Sequence, residues 1–310
     1  MKAVYLTRKA GPESLITGEL PVPVPQAGEV LVRVHATAAT PTEFEWHPTF
    51  NTRAGAPRSF PIVPSHECSG VIAALGAEVS APLKVGDAIY GLNDWFANGA
   101  LAEYCVAPAT ALAPKPASLT HAQAAVVPIS ALTAWQALVT RGMVERGQRV
   151  LIHGGSGGVG VFAVQLARLR GAHVIATASA ANLDLVRSLG ADEVIDYRAA
   201  RFESTVRDVD FVLDSVGGET LARSWDALRA GGTLVTIAAQ SAVASDARDR
   251  AAFMLVEPNH GQLVEIARFL DAGKLRVFVE DEYSLNDAAA GYARAQKGGM
   301  RGKIAFRTAG

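Results

Sequence analysis

The sequence predicts an α/β protein: a doubly wound parallel sheet joined to an antiparallel, barrel-like β domain. Three observations carry this. From residue 148 onward, strand-like apolar runs alternate with helix-like ones, the pattern of a parallel sheet with crossover helices. Before about residue 115 the chain instead holds short β-type runs broken by Gly and Pro. At the start of the alternating half, QRVLIHGGSGGVGVFAVQLARL reads as buried strand, glycine cluster and helix in immediate succession.

Taken in order, MKAVYL, LITGEL, EVLVRVHA, SGVIAALG, DAIYGL and LAEYCVA are the strand runs of the first part. Residues such as Pro21, Pro23, Pro25, Gly28, Pro61, Pro64, Gly76 and Gly86 separate them. Residues 40–64 form a long polar and aromatic stretch with Phe44, Trp46, His47, Phe50 and Phe60. A loop of that length is usually functional or mobile; its aromatics either line a substrate cleft or pack the loop itself. Thr120 is a plausible N-cap for the helix-forming run HAQAAVVPISALTAWQALV. Strands are then expected at 150–153, 173–177, 193–196, 211–214 and 233–238, and helices at 158–170, 181–189 and 219–229. The tail from about 261 gives one helix, GQLVEIARFLDAGKL, then strand and helix pieces ending in GKIAFR. The sheet domain is complete without it, so it is expected to rejoin the first domain. The expected division is 1–120 completed by 261–310, and 121–260.

The 310 residues, 49% of them hydrophobic, suit one large or two medium domains and exclude a disordered chain. A net charge of -1 provides no electrostatic footprint for nucleic acid or an anionic membrane. Two cysteines, Cys68 and Cys105, make no disulfide framework and fit a reducing compartment; most simply they pack as small apolar groups. The start lacks the apolar core of a signal peptide, and the longest apolar stretch, 124–139, is interrupted by Pro128, Ser130, Thr133 and Gln136. A cytoplasmic protein without a membrane span is expected, and no repeat of solenoid period is present.

Gly155, Gly157 and Gly160 satisfy G-x-G-x-x-G between the predicted strand and helix. Residues without side chains let a backbone approach a pyrophosphate closely, while the helix N-terminus presents amides to its charge. Such a cluster can also be an ordinary turn, but its setting favours a dinucleotide site. An NAD site places an acid about 20 residues further on, at the ribose 2′-hydroxyl. Here that strand end holds Thr177, Ala178 and Ser179, and the first acid, Asp184, lies inside the next helix. Nothing there repels a 2′-phosphate, hydroxyls could bind it, and Tyr197 and Arg198 could close over it, so NADPH is expected. Tyr197 could equally be a loop aromatic over the sheet edge. His66, Glu67 and Cys68 are conceivable metal ligands. A catalytic zinc needs three ligands in tetrahedral array, and a structural one usually four sulfur or nitrogen ligands. The run reads as turn and core, and no metal is expected.

The chain resembles the zinc-independent, zeta-crystallin-like quinone oxidoreductases of the medium-chain dehydrogenase/reductase superfamily. The likeness spans nearly the whole length. It is carried by MKAV, PVPVPQAGEVLVRVHA, SHECSGVIAALG, VGDAIYG, GALAEYCVAP, LTAWQAL, HGGSGGVG, LGADEVIDYR, DFVLDSVGGETL, GGTLVTIA and RGKIAFR. It implies a GroES-like first domain, a Rossmann second domain, a cofactor in the cleft between them and a homodimer formed through the Rossmann sheets. It also implies a phosphate turn of Gly157, Gly158 and Val159, flanked by Ser156. The 2′-phosphate neighbourhood falls at Ser179, Asn182 and Tyr197; many relatives have a lysine near Asn182. Ser215 matches a residue near the adenosine, Thr133 a nicotinamide neighbour, and Ala238 and Ala239 neighbours of ribose and nicotinamide. Phe253, Met254 and Leu255 match the segment whose backbone holds the carboxamide. Arg301 and Lys303 match cations facing the cofactor phosphates. Of the three ligand places in zinc-dependent cousins, Thr40 and Ile129 occupy two, and only His66 survives. The family's Asn-Pro-x-Asp run stands here as Thr40, Pro41, Thr42 and Glu43.

Without a zinc set, and without a His, Tyr or Lys marked by spacing as an acid, the sequence points to acceptors that spread incoming charge themselves. Quinones and α,β-unsaturated carbonyls do so. Thr40 and the aromatic loop are the candidate pocket wall, with Glu43 and His47 as candidate proton donors. Two alternatives stay open: an NADPH-binding structural or sensing protein with little turnover, and a zinc-type alcohol dehydrogenase.

Overall fold

The structure, a computed structural model, describes residues 1–79 and 82–308; the side chain of Ala239 is also outside that description. The chain divides into two compact units. Unit 1 is Met1–Ile129, Pro258–Gly298 and Lys303–Gly310; unit 2 is Ser130–Glu257 and Gly299–Gly302. The tail thus belongs to unit 1 except for four residues, 299 to 302, which sit on unit 2.

In unit 1 the strands are β1 (Lys2–Tyr5), β2 (Ile16–Glu19), β3 (Glu29–Ala38), β4 (Glu67–Leu75), β5 (Ala88–Leu92), β6 (Tyr104–Pro108) and β7 (Leu112–Pro114). β1 and β2 form their own antiparallel ribbon. The long strand β3 organises the rest. Its alternation sends Val30, Val32 and Val34 inward and Arg33 outward, as a two-residue period requires. β3 pairs with β4 and with β6, and the three valines pack with Ile72, Ile89, Leu112, Cys68 and Cys105. Both cysteines are free, buried among apolar side chains, with their sulfurs 4.0 Å apart.

Unit 2 holds β8 (Arg149–Ile152), β9 (His173–Ala178), β10 (Glu193–Asp196), β11 (Val209–Asp214) and β12 (Leu228–Thr236). They form a parallel sheet in the order β10-β9-β8-β11-β12. Strand order reverses at β8, so the turn after β8 lies at the switch point where such sheets bind ligands. Its core is Leu151, Ile175, Val212, Leu234 and Phe202 with Leu221 from the helix Gly218–Ala227. Beyond β12, among the described residues, the sheet continues as a parallel bridge from Thr236 to Phe253.

The tail adds β13 (Val279–Ser284) and β14 (Lys303–Arg307) to unit 1. These two pair in parallel, unlike the antiparallel pairs that surround them. The helix Ala288–Gln296 between them is the crossover that a parallel pair requires.

Three expected elements differ in detail. The helix at 181–189 is a 3-10 turn, Ala180–Asn182, followed by Leu183–Ser188. The strand at 233–238 begins earlier and ends sooner, because pairing with β11 sets its ends. The stretch after Thr120 is a pair of helices, His121–Ala125 and Pro128–Trp135, and then a π turn, Gln136–Arg141. Thr120 and Gln123 form a full capping box, and Pro128 lacks the amide needed to extend the first helix. No helix among the described residues is long and apolar enough to cross a membrane.

Candidate functional site

In unit 2 the glycine turn leads from β8 into the helix Gly158–Leu169, whose N-cap is Gly157. No side chain caps this helix, so its first-turn amides are offered outward. The three motif glycines have different surroundings. A Cβ on Gly160 would lie 2.1 Å from the Gly154 carbonyl oxygen, so helix and turn touch backbone to backbone. A Cβ on Gly155 would press on Val186 at 3.1 Å. A Cβ on Gly157 would have nothing nearer than 3.4 Å; that face is open to a ligand.

The turn is tied down from behind. Gly155 N–H donates to the Thr177 carbonyl at 2.8 Å, and Gly154 N–H to the Thr177 hydroxyl at 3.3 Å. His153 contacts Thr177 Oγ1 through Nδ1 (3.2 Å) and Ser224 Oγ through Nε2 (3.0 Å). Ser224 gives its own proton to the Thr220 carbonyl, so His153 Nε2 carries the hydrogen and Nδ1 accepts from Thr177. Burial pushes this imidazole down to about 3, helped by Arg223, and keeps it neutral. Ser215 donates to the His153 carbonyl at 2.8 Å, which ties its hydroxyl to the turn.

The expected 2′-phosphate neighbourhood is partly rebuilt. Thr177 is buried with its hydroxyl engaged as described, and Ala178 is buried too, so neither offers a group to a ligand. This corrects the expectation that the Thr177 hydroxyl is available. Ser179 is half-buried at the strand end. Asn182 is buried; its amide donates to Ser156 Oγ at 3.1 Å and to the Gly299 carbonyl at 3.2 Å. Its Oδ1 accepts from Arg301 Nε at 2.9 Å, and a second Arg301 nitrogen donates to the Ala181 carbonyl at 2.9 Å. The segment Gly299–Gly302 is also bound to the turn itself, by Gly302 N–H to the Ser156 carbonyl at 2.8 Å. A cation thus reaches Asn182 from a part of the sequence 119 residues away. Tyr197 is 53% exposed, its amide on the Ala178 carbonyl and its ring beside Arg198.

Of the remaining cofactor candidates, Gly158 and Val159 are half-buried in the first turn, and Thr133 is buried in its helix. Ala238 is buried, and its amide donates to Thr236 Oγ1 at 3.2 Å. The Asp214 carboxylate gathers that same hydroxyl with the Val216 and Gly217 amides, which holds the ends of β11 and β12 together. Phe253 bridges to Thr236, Met254 N–H donates to the Thr236 carbonyl, and Leu255 is exposed. The Ala239 side chain lies outside the described residues. Sequence reasoning missed His153, Ser224 and Asp214; only their partners across the sheet reveal them.

Unit 1 carries a cluster of buried charges. The register Ala305↔Ala38 of the antiparallel pair β14–β3, continued two residues, puts Lys303 opposite Thr40. Lys303 Nζ donates to Thr40 Oγ1 at 3.1 Å and forms a short ion pair with Glu67 Oε1. Glu67 Oε2 accepts from the Ile129 amide at 2.9 Å, so both its oxygens are engaged. Burial raises this carboxyl and Lys303 counters it. The Lys303 ammonium, expected to face the cofactor phosphates, is almost wholly buried here and held by Glu67 and Thr40.

Glu43 is buried as well. Its Oε1 accepts from the Tyr292 hydroxyl at 2.6 Å and from Ser65 N–H at 2.9 Å, and Oε2 has no partner. Burial pushes its pKa up to about 7, against the pull of Tyr292, Ser65 and Lys303. Oε1 already accepts two hydrogens, so the acid proton belongs on Oε2. His47, by contrast, begins the short helix His47–Phe50 and is exposed, apart from this cluster. His66 is buried; Nε2 lies 3.4 Å from the Ala97 carbonyl and Nδ1 has no partner. Burial pushes it down to about 4.

The loop aromatics divide. Phe44 stands edge-on to Tyr292 and Phe50 packs on Leu6 and Ile62, so both are core. Trp46 instead meets Trp95, whose ring is tilted by 35° against that of His66, and Phe60 is exposed. Among the described residues no group of three or more His, Cys, Asp and Glu is placed to hold a metal ion.

Residues 26–117 match the alcohol dehydrogenase GroES-like domain, and 189–305 the zinc-binding dehydrogenase domain. A chloroplastic quinone oxidoreductase of Triphysaria versicolor is 32% identical over 92% of this chain and 92% of its own length. The chain belongs to the quinone oxidoreductases of the medium-chain dehydrogenase/reductase superfamily. The solved quinone oxidoreductase from Coxiella burnetii superposes with a TM-score of 0.89 at 29% identity, over 100% of this chain and 99% of that one. A mycobacterial protein solved as a complex with NADPH gives 0.84 at 29% identity, with 99% of both chains covered. As a member of this family the chain is an oxidoreductase with a nicotinamide-binding Rossmann unit and a GroES-like unit.

Proposed function

We propose that this oxidoreductase uses NADPH to reduce quinones or α,β-unsaturated carbonyls, and does so without a metal. The observation that carries the cofactor choice is Arg301, held on Asn182 and Ala181 beside Ser179, at a strand end that bears no acid. The open face of Gly157 and the uncapped helix fit a pyrophosphate. When bound, NADPH supplies hydride from its nicotinamide. The chain's residues then have three tasks: hold the phosphates at the turn, hold the acceptor, and stabilise the oxygen on which charge collects. Metal independence rests on the donor set, because Thr40 and Ile129 stand where cousins have ligands. The two free thiols suit a reducing compartment such as the cytosol. A homodimer would form through the Rossmann sheets.

Steady-state kinetics with both cofactors and a panel of quinones, alkenals and simple alcohols tests this reading. Turnover of quinones or alkenals with a clear NADPH preference is expected, with little alcohol oxidation and no stoichiometric zinc by elemental analysis. Arg301→Met should weaken NADPH binding about tenfold or more, the size of one charge-assisted contact, and leave NADH unaffected. Robust alcohol oxidation with tightly held zinc, and silence toward quinones and alkenals, would overturn it.

A further inference from the structure

We infer that the Thr40 hydroxyl donates a hydrogen bond to the acceptor oxygen on which negative charge develops, and that Lys303, anchored by Glu67, orients and polarises it. This rests on the reductase reading above and names the group that reading lacks, since spacing marks no dedicated acid or electrophile in the sequence.

The geometry is specific. An ammonium can only donate, so at 3.1 Å Thr40 Oγ1 is the acceptor of the Lys303 bond. The hydrogen of that hydroxyl must point elsewhere, and no acceptor for it exists among the described residues. Thr40 is half-buried, whereas the side chains of Lys303 and Glu67 are 6% and 0% exposed. The arrangement is a donor at the edge of the protein with a buried cation behind it. Accepting from a cation makes a hydroxyl a better donor, and low dielectric strengthens the effect. A bond from Glu43 N–H to the Thr40 carbonyl, at 3.1 Å, fixes the backbone that carries the hydroxyl.

The buried ion pair supports the same conclusion. Isolating an ammonium and a carboxylate from water costs more than their attraction returns unless every oxygen and proton is placed. Glu67 has both oxygens occupied, by Lys303 and by the Ile129 amide, and so holds the lysine; what the lysine reaches beyond it is Thr40.

The step balances simply. Hydride brings two electrons and one hydrogen to the enone β-carbon or to a quinone oxygen, and the nicotinamide is left oxidised. The displaced electron pair moves onto the carbonyl oxygen, where Thr40 O–H donates without losing its proton. Water then supplies the one proton that completes the product. Lys303 is a positioning residue; Thr40 is the group that touches the acceptor.

Two measurements test this. In turnover with a quinone or alkenal, Thr40→Val should lower kcat about 100-fold, as loss of one oxyanion donor does, with little change in KM. Lys303→Met should lower kcat similarly, Lys303→Arg should retain much of it, and the double variant Thr40→Val with Lys303→Met should lose no more than either alone. Independently of turnover, para-nitrophenol bound to the protein reports oxyanion stabilisation through its phenolate absorbance. Its apparent pKa should fall below the solution value in the wild type and Lys303→Arg, and return toward it in Thr40→Val and Lys303→Met. Identical phenol titrations in all four proteins would overturn the inference. So would a Lys303→Met protein that binds NADPH weakly but keeps kcat, which would assign the lysine to the phosphates. A wild type inactive on every acceptor defeats the reductase reading alone, because the phenol titration still reads Thr40.

Discussion

Glu43 is a buried acid poised near neutrality, and its protonation couples to stability. In the unfolded chain it titrates at its ordinary 4.5; in the native state it holds its proton up to about 7. A raised native value means that its stabilisation is complete below 4.5 and is lost as pH rises through about 7. The groups facing it are Tyr292, Ser65, Lys303 and Glu67. Glu43→Gln keeps an acceptor for Tyr292 and Ser65 but cannot ionise. Thermal melts should therefore show the two proteins alike below 4.5 and the variant more stable above 7, by roughly 3 kcal/mol for a shift of this size. Parallel curves across the range would mean that Glu43 is already ionised in the native state. At this scale the sequence marked Thr40, Glu43 and Lys303 but not that they meet, and it did not mark Tyr292. Tyr292 and Lys303 lie 249 and 263 residues from Glu43 and Thr40, and no local pattern brings them together.

At the scale of one element, the glycine turn separates what the fold needs from what a ligand needs. Gly160→Ala puts a methyl 2.1 Å from the Gly154 carbonyl oxygen, so helix and turn must part; a loss of about 1–3 kcal/mol is expected in denaturant unfolding. Gly157→Val meets open space in the protein, so the fold should survive while NADPH titration by fluorescence shows no binding. Near-native stability of the Gly160 variant, or near-native affinity of the Gly157 variant, would mean that the turn is built otherwise. The motif was fully legible in the sequence because its residues are adjacent. Its support was not: Thr177 looked like a ligand-facing hydroxyl and proves to be half of the brace formed with His153.

Across the whole molecule, burial lowers four imidazoles: His35, His66 and His121, the last two to about 4, and His153 to about 3. Their native values lie below the unfolded 6.5, so their contribution is complete above 6.5 and is lost as pH falls toward 4 and then 3. Glu43, Glu67 and Asp214, whose carboxyls burial raises, run the other way, while the lowered carboxyls of Asp94, Asp210 and Asp271 add to the loss in acid. The protein should therefore lose stability steadily below 6.5, with both units affected because His66 and His121 belong to unit 1 and His153 to unit 2. His153→Gln should flatten the acid limb of the melting curve; an unchanged limb would mean that this imidazole is protonated in the folded protein.

Local pattern determined a good deal by itself. The strand run at β3, apolar runs at β8 and β9, the N-cap at Thr120 and the glycine spacing fix strands, helices and the dinucleotide turn, because each depends on neighbours within a few residues. The tertiary structure alone decided which charges meet. Strand β14 lies beside β3, which carries Lys303 to Thr40 and Glu67, and the segment Gly299–Gly302 lies on the glycine turn, which carries Arg301 to Asn182. Two cations read as equivalent in RGKIAFR thus face different chemistry. Side chains two apart in an extended segment follow whichever backbone each stretch pairs with, and that pairing is set by the packing of the whole chain rather than by any local signal.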